Sequence, residues 1–259
     1  MLKLYPVLIF ICLLNPLNAQ QGTALTNTFS EIPDYKSISD QQKSYMDSLY
    51  VRRVNISDEL INGREYVPYY FKSKVKPLLA EGKKRSGSLV FNGRRYNNLL
   101  LEYDTFRDQL IYSDSTKLMN DRVFKIALNK DPVDEFSLIF IDDSMIFRYF
   151  TAVKEKSFNL PAGFYEVVYD GKSKCIIKHQ SFLVEKDGLY EYRYTPVEFV
   201  RVGNSYARVK SGKGFIKLFG NESDEVRKFM KTNKVHFRRA GKNEIATVMR
   251  YYDSLISGK

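Results

Sequence analysis

The chain has few of the residues from which metal sites and nucleophilic active sites are most often built. Among its 259 residues are two cysteines and two histidines. Cys175 stands four positions before His179, and His236 has no such neighbour. A zinc site needs a second pair of ligands. Residues four apart in one strand lie about 13 Å apart. At that distance Cys175 and His179 cannot act together as a nucleophile and its base. The sequence therefore predicts no metal site and no cofactor.

Sequence signatures of catalysis are missing as well. Residues 203–205 (Gly-Asn-Ser) lack the closing glycine of a serine-hydrolase elbow, and residues 211–214 (Ser-Gly-Lys-Gly) do not form a phosphate-binding loop. Asp142-Asp143 indicates a turn, because the ligand spacing of a calcium loop is absent. A hydrolase that uses two carboxylates stays open. Its candidates, of which no pair is marked by spacing, are Glu102, Asp104, Glu166 and Glu191. No catalytic residue is assigned, and the ligand-binding residues are unknown at this point.

Long hydrophobic runs are absent after the start of the chain. Residues 6–14 are nine uncharged residues that follow the single charge of Lys3, and Ala19 is a small residue suited to cleavage. This run is shorter than the roughly 20 residues that a membrane-spanning helix needs. We therefore expect a signal peptide over residues 1–19, cleaved after Ala19. Acylation of Cys12 is disfavoured, since the bulky Ile11 precedes it. The expected location is extracytoplasmic, periplasmic or secreted, with no transmembrane segment after cleavage.

The scarcity of cysteine bears on stability. If Cys12 leaves with the signal peptide, Cys175 has no partner within the chain, and an intramolecular disulfide is excluded. The fold must then be stabilised by its hydrophobic core, for which the length suffices. Cys175 lies in a strand-like run and is predicted to be a small buried hydrophobe, with a reactive or intermolecular thiol as the alternative.

Acidic residues are outnumbered, with 41 Lys and Arg against 30 Asp and Glu and a net charge of +11. The excess concentrates in residues 72–95 and from Arg201 to the end. Such a distribution suits an anionic envelope lipid, an acidic polysaccharide or a protein partner, or it is a solvated basic surface without a ligand. Nucleic acid is not expected, because no recognised binding motif is present.

The middle of the chain has the period of β-strands. The turn pairs Asn92-Gly93, Asp170-Gly171 and Asp187-Gly188 predict hairpins. Tyr190, Tyr192 and Tyr194 alternate with polar residues, which is typical of a half-buried strand. The predicted strands span residues 88–91, 96–103, 109–112, 122–128, 135–141, 145–150, 163–169, 174–178, 181–185, 189–194, 198–201, 205–210 and 215–219. A run of strands without interleaved helices predicts a mainly β (α+β) fold with a curved antiparallel sheet, as a half-barrel, barrel or sandwich.

Helical patterns flank these strands. Residues 20–58 are predicted to be a polar leader with a short helix over about 40–52, and residues 59–220 the antiparallel β domain. Residues 221–259 are predicted to be a C-terminal helical segment packed on the sheet. Its apolar stripes are Val226, Phe229 and Met230 in a first helix, then Ile245, Val248, Met249, Tyr252 and Leu255 in a second over about 242–256.

Two stretches resemble a known group of sequences. Residues 87–104 (Gly-Ser-Leu-Val-Phe-Asn-Gly-Arg-Arg-Tyr-Asn-Asn-Leu-Leu-Leu-Glu-Tyr-Asp) and the segment from Tyr206 to Asp253 are similar to uncharacterised secreted β-rich proteins of Bacteroidota. The resemblance covers about residues 59–255. It implies a β-rich extracytoplasmic fold in a bacterial envelope, and it implies no activity and no site residues.

Together these patterns predict a non-enzymatic secreted or periplasmic protein. We expect it to bind an apolar or anionic envelope ligand, or a protein partner, through its sheet. The alternatives are a carboxylate-dependent hydrolase of envelope polymers and a structural subunit of an envelope complex.

Overall fold

A computed structural model describes residues 60, 63–69, 75–83, 85–119, 122–141, 143–155 and 158–258 of the chain. The predicted signal peptide, the polar leader with its short helix, and Asp142 lie outside the described residues.

Antiparallel strands make up about half of the described chain. The strands are β1 (Arg64–Glu65), β2 (Arg85–Phe91), β3 (Arg94–Asp104), β4 (Gln109–Met119), β5 (Arg122–Ala127), β6 (Val133–Ile139), β7 (Ser144–Phe150), β8 (Val153–Glu155), β9 (Phe158–Leu160), β10 (Gly163–Asp170), β11 (Lys174–Lys178), β12 (Ser181–Lys186), β13 (Leu189–Tyr194), β14 (Val197–Val202) and β15 (Ser205–Val209).

Eleven of these strands form one open sheet. Their order is β1-β5-β4-β3-β2-β6-β7-β10-β11-β14-β15, and the remaining four form the two-stranded sheets β12-β13 and β8-β9. The prediction of a mainly antiparallel β fold is therefore confirmed, in its open form. Neighbours in sequence are mostly neighbours in the sheet, because short turns join antiparallel strands.

Two of the three predicted hairpin pairs form two-residue turns. Asn92 and Gly93 have φ angles of 50° and 73°, and Asp187 and Gly188 have 53° and 72°, the left-handed values that such turns require. Asp170-Gly171 differs, because Asp170 still belongs to β10 and the connection to β11 spans residues 171–173.

The predicted strand over residues 215–219 is wrong. This segment belongs to helix α1 (Gly212–Lys217) and the turn after it. The Ser211 side chain caps the helix by accepting a hydrogen bond from the Gly214 backbone N–H at 3.1 Å. Phe215 and Phe219 are both buried and lie four positions apart, which is the helical period.

The C-terminal helices pack on the second half of the sheet, as predicted. They are α2 (Ser223–Thr232) and α3 (Lys242–Ser257). Val226 of α2 and Val248 of α3 are fully buried, and they share one cluster with Val200 of β14. A separate aromatic core lies between β3, β6, β7 and β10, where the rings of Phe136 and Phe147 stack at 4.6 Å.

The tyrosine alternation of β13 is only partly reflected in burial. Tyr192 is buried, whereas Tyr190 and Tyr194 are 57% and 45% exposed. Strand β13 pairs with β12 in a sheet of its own, and Tyr192 is the one of the three tyrosines whose ring packs against Tyr69 and Phe106. Within the described residues, no helix is long and apolar enough to cross a membrane.

Candidate ligand-binding pocket

A cavity of about 350 Å³ lies where the β3–β4 corner meets the start of β12. Most of its wall is apolar and comes from Val75, Leu78, Leu79, Ala80 and Met145. Its polar groups are Lys76, Thr105, Ser181 and Tyr194. A concave apolar site with a few polar groups is the usual form of a small-molecule binding site, and such sites measure about 300–1,000 Å³.

The segment before β2 supplies the apolar wall because it is fastened to the end of β3. Leu78 forms an isolated antiparallel bridge with Asp104, and the Thr105 backbone N–H donates to the Pro77 carbonyl at 2.8 Å. A 3-10 helix, Leu79–Gly82, follows at once and places Leu79 and Ala80 on the cavity. The wall is therefore held by backbone pairing rather than by side chains alone.

Two hydroxyl groups on the cavity are joined to each other. Thr105 Oγ1 and Ser181 Oγ lie 2.7 Å apart, and the Ser181 backbone N–H donates to the Thr105 carbonyl at 3.0 Å. Both residues are buried. This link ties β12 to the β3–β4 corner and so fixes the width of the cavity on that side.

Tyr194 connects the cavity to a buried polar chain. Its phenol oxygen lies 2.6 Å from His179 Nδ1, and His179 Nε2 lies 2.8 Å from Glu166 Oε2. His179 and Glu166 are 4% and 2% exposed, so neither reaches solvent. Their mutual hydrogen bonds satisfy groups whose burial would otherwise cost free energy.

This chain of hydrogen bonds continues from Glu166 to Lys242, the first residue of α3. Lys242 Nζ donates to Glu166 Oε1 at 2.7 Å and lies 2.5 Å from Asp143 Oδ2. Burial alone would raise the pKa of Glu166, but the hydrogen bonds and charges of His179 and Lys242 hold it below its usual value. Glu166 is therefore ionised at neutral pH.

An ionised Glu166 determines the direction of its own hydrogen bond with His179. The carboxylate accepts the Nε2–H of His179, and Nδ1 of the same ring hydrogen-bonds to the Tyr194 phenol. Burial, together with the Glu166 charge, raises the pKa of Tyr194 to about 12, so the phenol keeps its proton at neutral pH. The His179 ring therefore holds the protonated phenol in place where Tyr194 lines the cavity.

A second buried ionic cluster closes the β3–β4 turn and stays separate from the cavity lining. Lys178 Nζ lies 2.6 Å from Asp108 Oδ1 and donates to the Phe164 carbonyl at 3.0 Å. Lys130 and the Tyr103 phenol also contact Asp108. Burial lowers the pKa of Lys178, an effect that the Asp108 charge partly offsets.

The other carboxylates considered for hydrolysis are held by nearby groups. Glu102 Oε2 lies 2.5 Å from Lys125 Nζ, and Glu191 is a surface residue 3.9 Å from Arg193. Asp104 accepts hydrogen bonds from the phenols of Tyr69 and Tyr66 at 2.5 and 3.1 Å. Asp104 also caps the β3–β4 turn by accepting backbone hydrogen bonds. These contacts give Glu102 and Asp104 structural roles.

The two remaining predicted residues are accounted for simply. Cys175 is buried, as predicted, and burial raises the pKa of its thiol to about 12, so it is not a thiolate at neutral pH. His236 is exposed in the loop between α2 and α3. Within the described part of the chain, no group of three or more His, Cys, Asp and Glu is placed to hold a metal ion.

The sequence pattern marks Glu166, His179 and Tyr194 separately and does not join them. Spacing relates His179 only to Cys175, which lies on β11, whereas His179 directly follows that strand. The available signal was Glu166 itself, an acid inside the apolar strand β10, where a buried charge needs a partner. The sheet supplies that partner, because β10 and β11 pair with Glu166 opposite Ile177, two residues before His179.

Comparison with protein-family models, with curated proteins and with solved structures finds no match to this chain, so the assignment of the pocket rests on its own geometry.

Proposed function

We propose that this protein is a non-enzymatic, extracytoplasmic binding protein. Its ligand is an amphiphile from the cell envelope, with an apolar body and an anionic group. The observation that carries the proposal is the cavity of about 350 Å³, whose wall is mostly apolar and whose one cationic lining residue is Lys76.

The size and the lining support an amphiphile over a fully polar ligand. An apolar body gains roughly 25 cal/mol for each Å² that it removes from water, and five apolar residues provide that surface. Lys76 is exposed, so it suits a charged group that stays near solvent. The Thr105 hydroxyl already donates to the Pro77 carbonyl and is joined to Ser181, so Ser181 and Tyr194 supply the directional hydrogen bonding that is left for a ligand.

The chemistry of the polar chain supports binding over catalysis. The Tyr194 phenol is a poor nucleophile and a poor general base while it stays protonated, and its raised pKa keeps it so. His179 is occupied on both ring nitrogens by Tyr194 and Glu166. The chain therefore orients one hydrogen-bonding oxygen.

Filling the cavity tests the proposal. Val75→Trp at the edge of the cavity should lower the affinity for a fluorescent long-chain fatty acid by at least about tenfold, because the indole takes the volume of the apolar body. Titration of the purified protein with the probe measures the dissociation constant. Val67→Trp is the matched control, since Val67 is similarly exposed (45% against 52%) and does not line the cavity.

The two variants separate the outcomes. Unchanged binding in Val75→Trp, or an equal loss in both variants, would count against the cavity as the binding site. If the wild-type protein binds neither the fatty acid nor any lipid extracted from envelopes of its own host, the proposed function is wrong.

A further inference from the structure

A strongly basic segment lies at the other end of the described chain, in α2 and the loop that follows it. Residues 227–239, here called the basic segment, include no Asp or Glu. Their cations, all exposed, are Arg227, Lys228, Lys231, Lys234, Arg238 and Arg239. A cluster of this size and sign creates a positive potential that attracts polyanions.

The helix and the loop that carry these cations are anchored in the hydrophobic core. Val226 and Met230 anchor α2 in the core, and Val235 anchors the loop. Lys228 and Lys231 lie on the opposite, solvent-facing side of the helix. Because this backbone is already ordered in the folded protein, binding costs no further loss of its conformational entropy.

Helix electrostatics explains only part of the cluster. A cation in the last turn is favoured by the helix dipole, which accounts for Lys231. Arg238 and Arg239 lie well beyond that turn. Lys234 occupies a left-handed position, with φ of 55°, where glycine would be less strained. Lysine at this position therefore adds conformational strain to the backbone. The helix dipole alone does not explain why a cation is found there.

The aromatic and apolar residues of the basic segment are used inside the protein. The Phe229 ring stacks on Tyr251 at 4.0 Å, and the Phe237 ring stacks on Phe215 at 4.8 Å. No large hydrophobic side chain of the basic segment is exposed, so the anchors typical of a protein interface are missing from its described surface. The stacked rings are likewise not free platforms for nucleic-acid bases.

We infer that the basic segment is a docking surface for anionic phospholipid membranes. Headgroup phosphates are bound by exposed cations through charge alone. The basic segment presents such cations on an ordered backbone. Clusters of four to eight Lys and Arg residues are typical of proteins that bind anionic lipids. The contact is peripheral and sensitive to salt, because nothing apolar from the basic segment enters the bilayer.

Vesicle sedimentation tests this inference. Vesicles of phosphatidylglycerol and phosphatidylcholine should bind the wild-type protein at low salt, and vesicles of phosphatidylcholine alone should not. The triple variant Lys228→Gln, Lys231→Gln and Arg238→Gln should bind on the order of 100-fold more weakly, at about fivefold for each cation removed. The control variant Arg64→Gln, Lys172→Gln and Lys186→Gln loses the same charge from exposed positions elsewhere. Both variants should keep the circular dichroism spectrum of the wild type.

The outcomes separate a local surface from general charge. An equal loss in the two triple variants would overturn the inference, because net charge would then be the cause. Binding to duplex DNA or dextran sulfate without binding to anionic vesicles would also overturn it. Val75→Trp should leave vesicle binding unchanged, so a failure of the pocket proposal does not affect this result.

Discussion

Two buried ionic clusters of this protein differ in what they connect. The Asp108 cluster joins the β3–β4 turn to β10 and β11, and its contacts end within the protein. The Glu166 chain runs from α3 to Tyr194, whose side chain lines the cavity. We therefore interpret the first as a structural clamp and propose that the second positions the Tyr194 phenol for a ligand. Buried charge is common to both clusters, so the connection to a cavity is the feature that distinguishes them.

Local backbone geometry strengthens the contrast. Gly163 has a φ of 147°, and a Cβ at this position would overlap Asp108 Oδ2 and Lys178 Nζ. The clamp is packed so closely against β10 that no side chain fits between them. Tyr194, in contrast, is 45% exposed and leaves room beside it.

The largest expected effect comes from breaking the clamp. Lys178→Met should lower the free energy of unfolding by about 3 kcal/mol, because it removes the buried cation closest to the partly buried Asp108. Urea denaturation measures this loss. Lys130→Met is the matched control on the same carboxylate, and it should cost at most about 1 kcal/mol since its ion pair is partly exposed. Similar costs for the two variants would show that Lys178 is not the central member of the clamp.

A smaller effect is expected in the Glu166 chain. Glu166→Gln should lower the free energy of unfolding by about 2 kcal/mol at neutral pH, because the charge-assisted hydrogen bonds to His179 and Lys242 are weakened. Far-UV circular dichroism during urea titration measures it.

The pH dependence of the same variant provides a second measurement. The pKa of Glu166 is lower in the folded protein than its usual value of about 4.3, so its contribution to stability is present above that pH and is lost as the pH falls below it. Glu166→Gln should remove this part of the acid sensitivity. An identical slope of stability against pH in variant and wild type would contradict the assignment.

The smallest effect on stability is expected at Tyr194, where the hydrogen-bond chain from Glu166 meets the cavity. Tyr194→Phe removes the hydroxyl that hydrogen-bonds to the buried His179 Nδ1, and it should lower the free energy of unfolding by about 1 kcal/mol, the low end for such a loss because Tyr194 itself is half exposed. It should weaken the binding of a ligand that hydrogen-bonds to the phenol by roughly fivefold and leave the binding of a hydrocarbon probe unaffected. Titration with a matched pair of probes, a long-chain alcohol and the corresponding alkane, measures the difference. Equal losses for both probes would mean that Tyr194 acts by shape rather than through its oxygen.

Much of the fold follows from local pattern. Period-two alternation and turn pairs such as Asn92-Gly93 predict the central strands, because both signals depend on residues close in sequence. Residues 215–219 suit either a strand or a helix, because they are five residues with two aromatics, and the Ser211 cap favours the helix that the structure has. The short strands β1, β8 and β9 have too few residues to show any period.

The candidate site follows from local pattern far less. Tyr194, His179 and Glu166 come from three segments, and each has an ordinary structural explanation when taken alone. The cavity wall comes from a fourth segment, Leu78 to Ala80, which is far from them in sequence and is joined to β3 by one bridge. No residue spacing in the sequence predicts that these four segments lie together.

The sequence by itself determined the class of fold, the helical end and the basic character of the segment from Arg201 to the end, since composition and periodicity are local properties. Only the tertiary structure decided which buried charges pair, which tyrosine lines the cavity and which cations gather on one surface. The physical reason is that hydrogen bonds, ion pairs and cavities depend on distances between atoms of different segments, and the register of the sheet determines those distances.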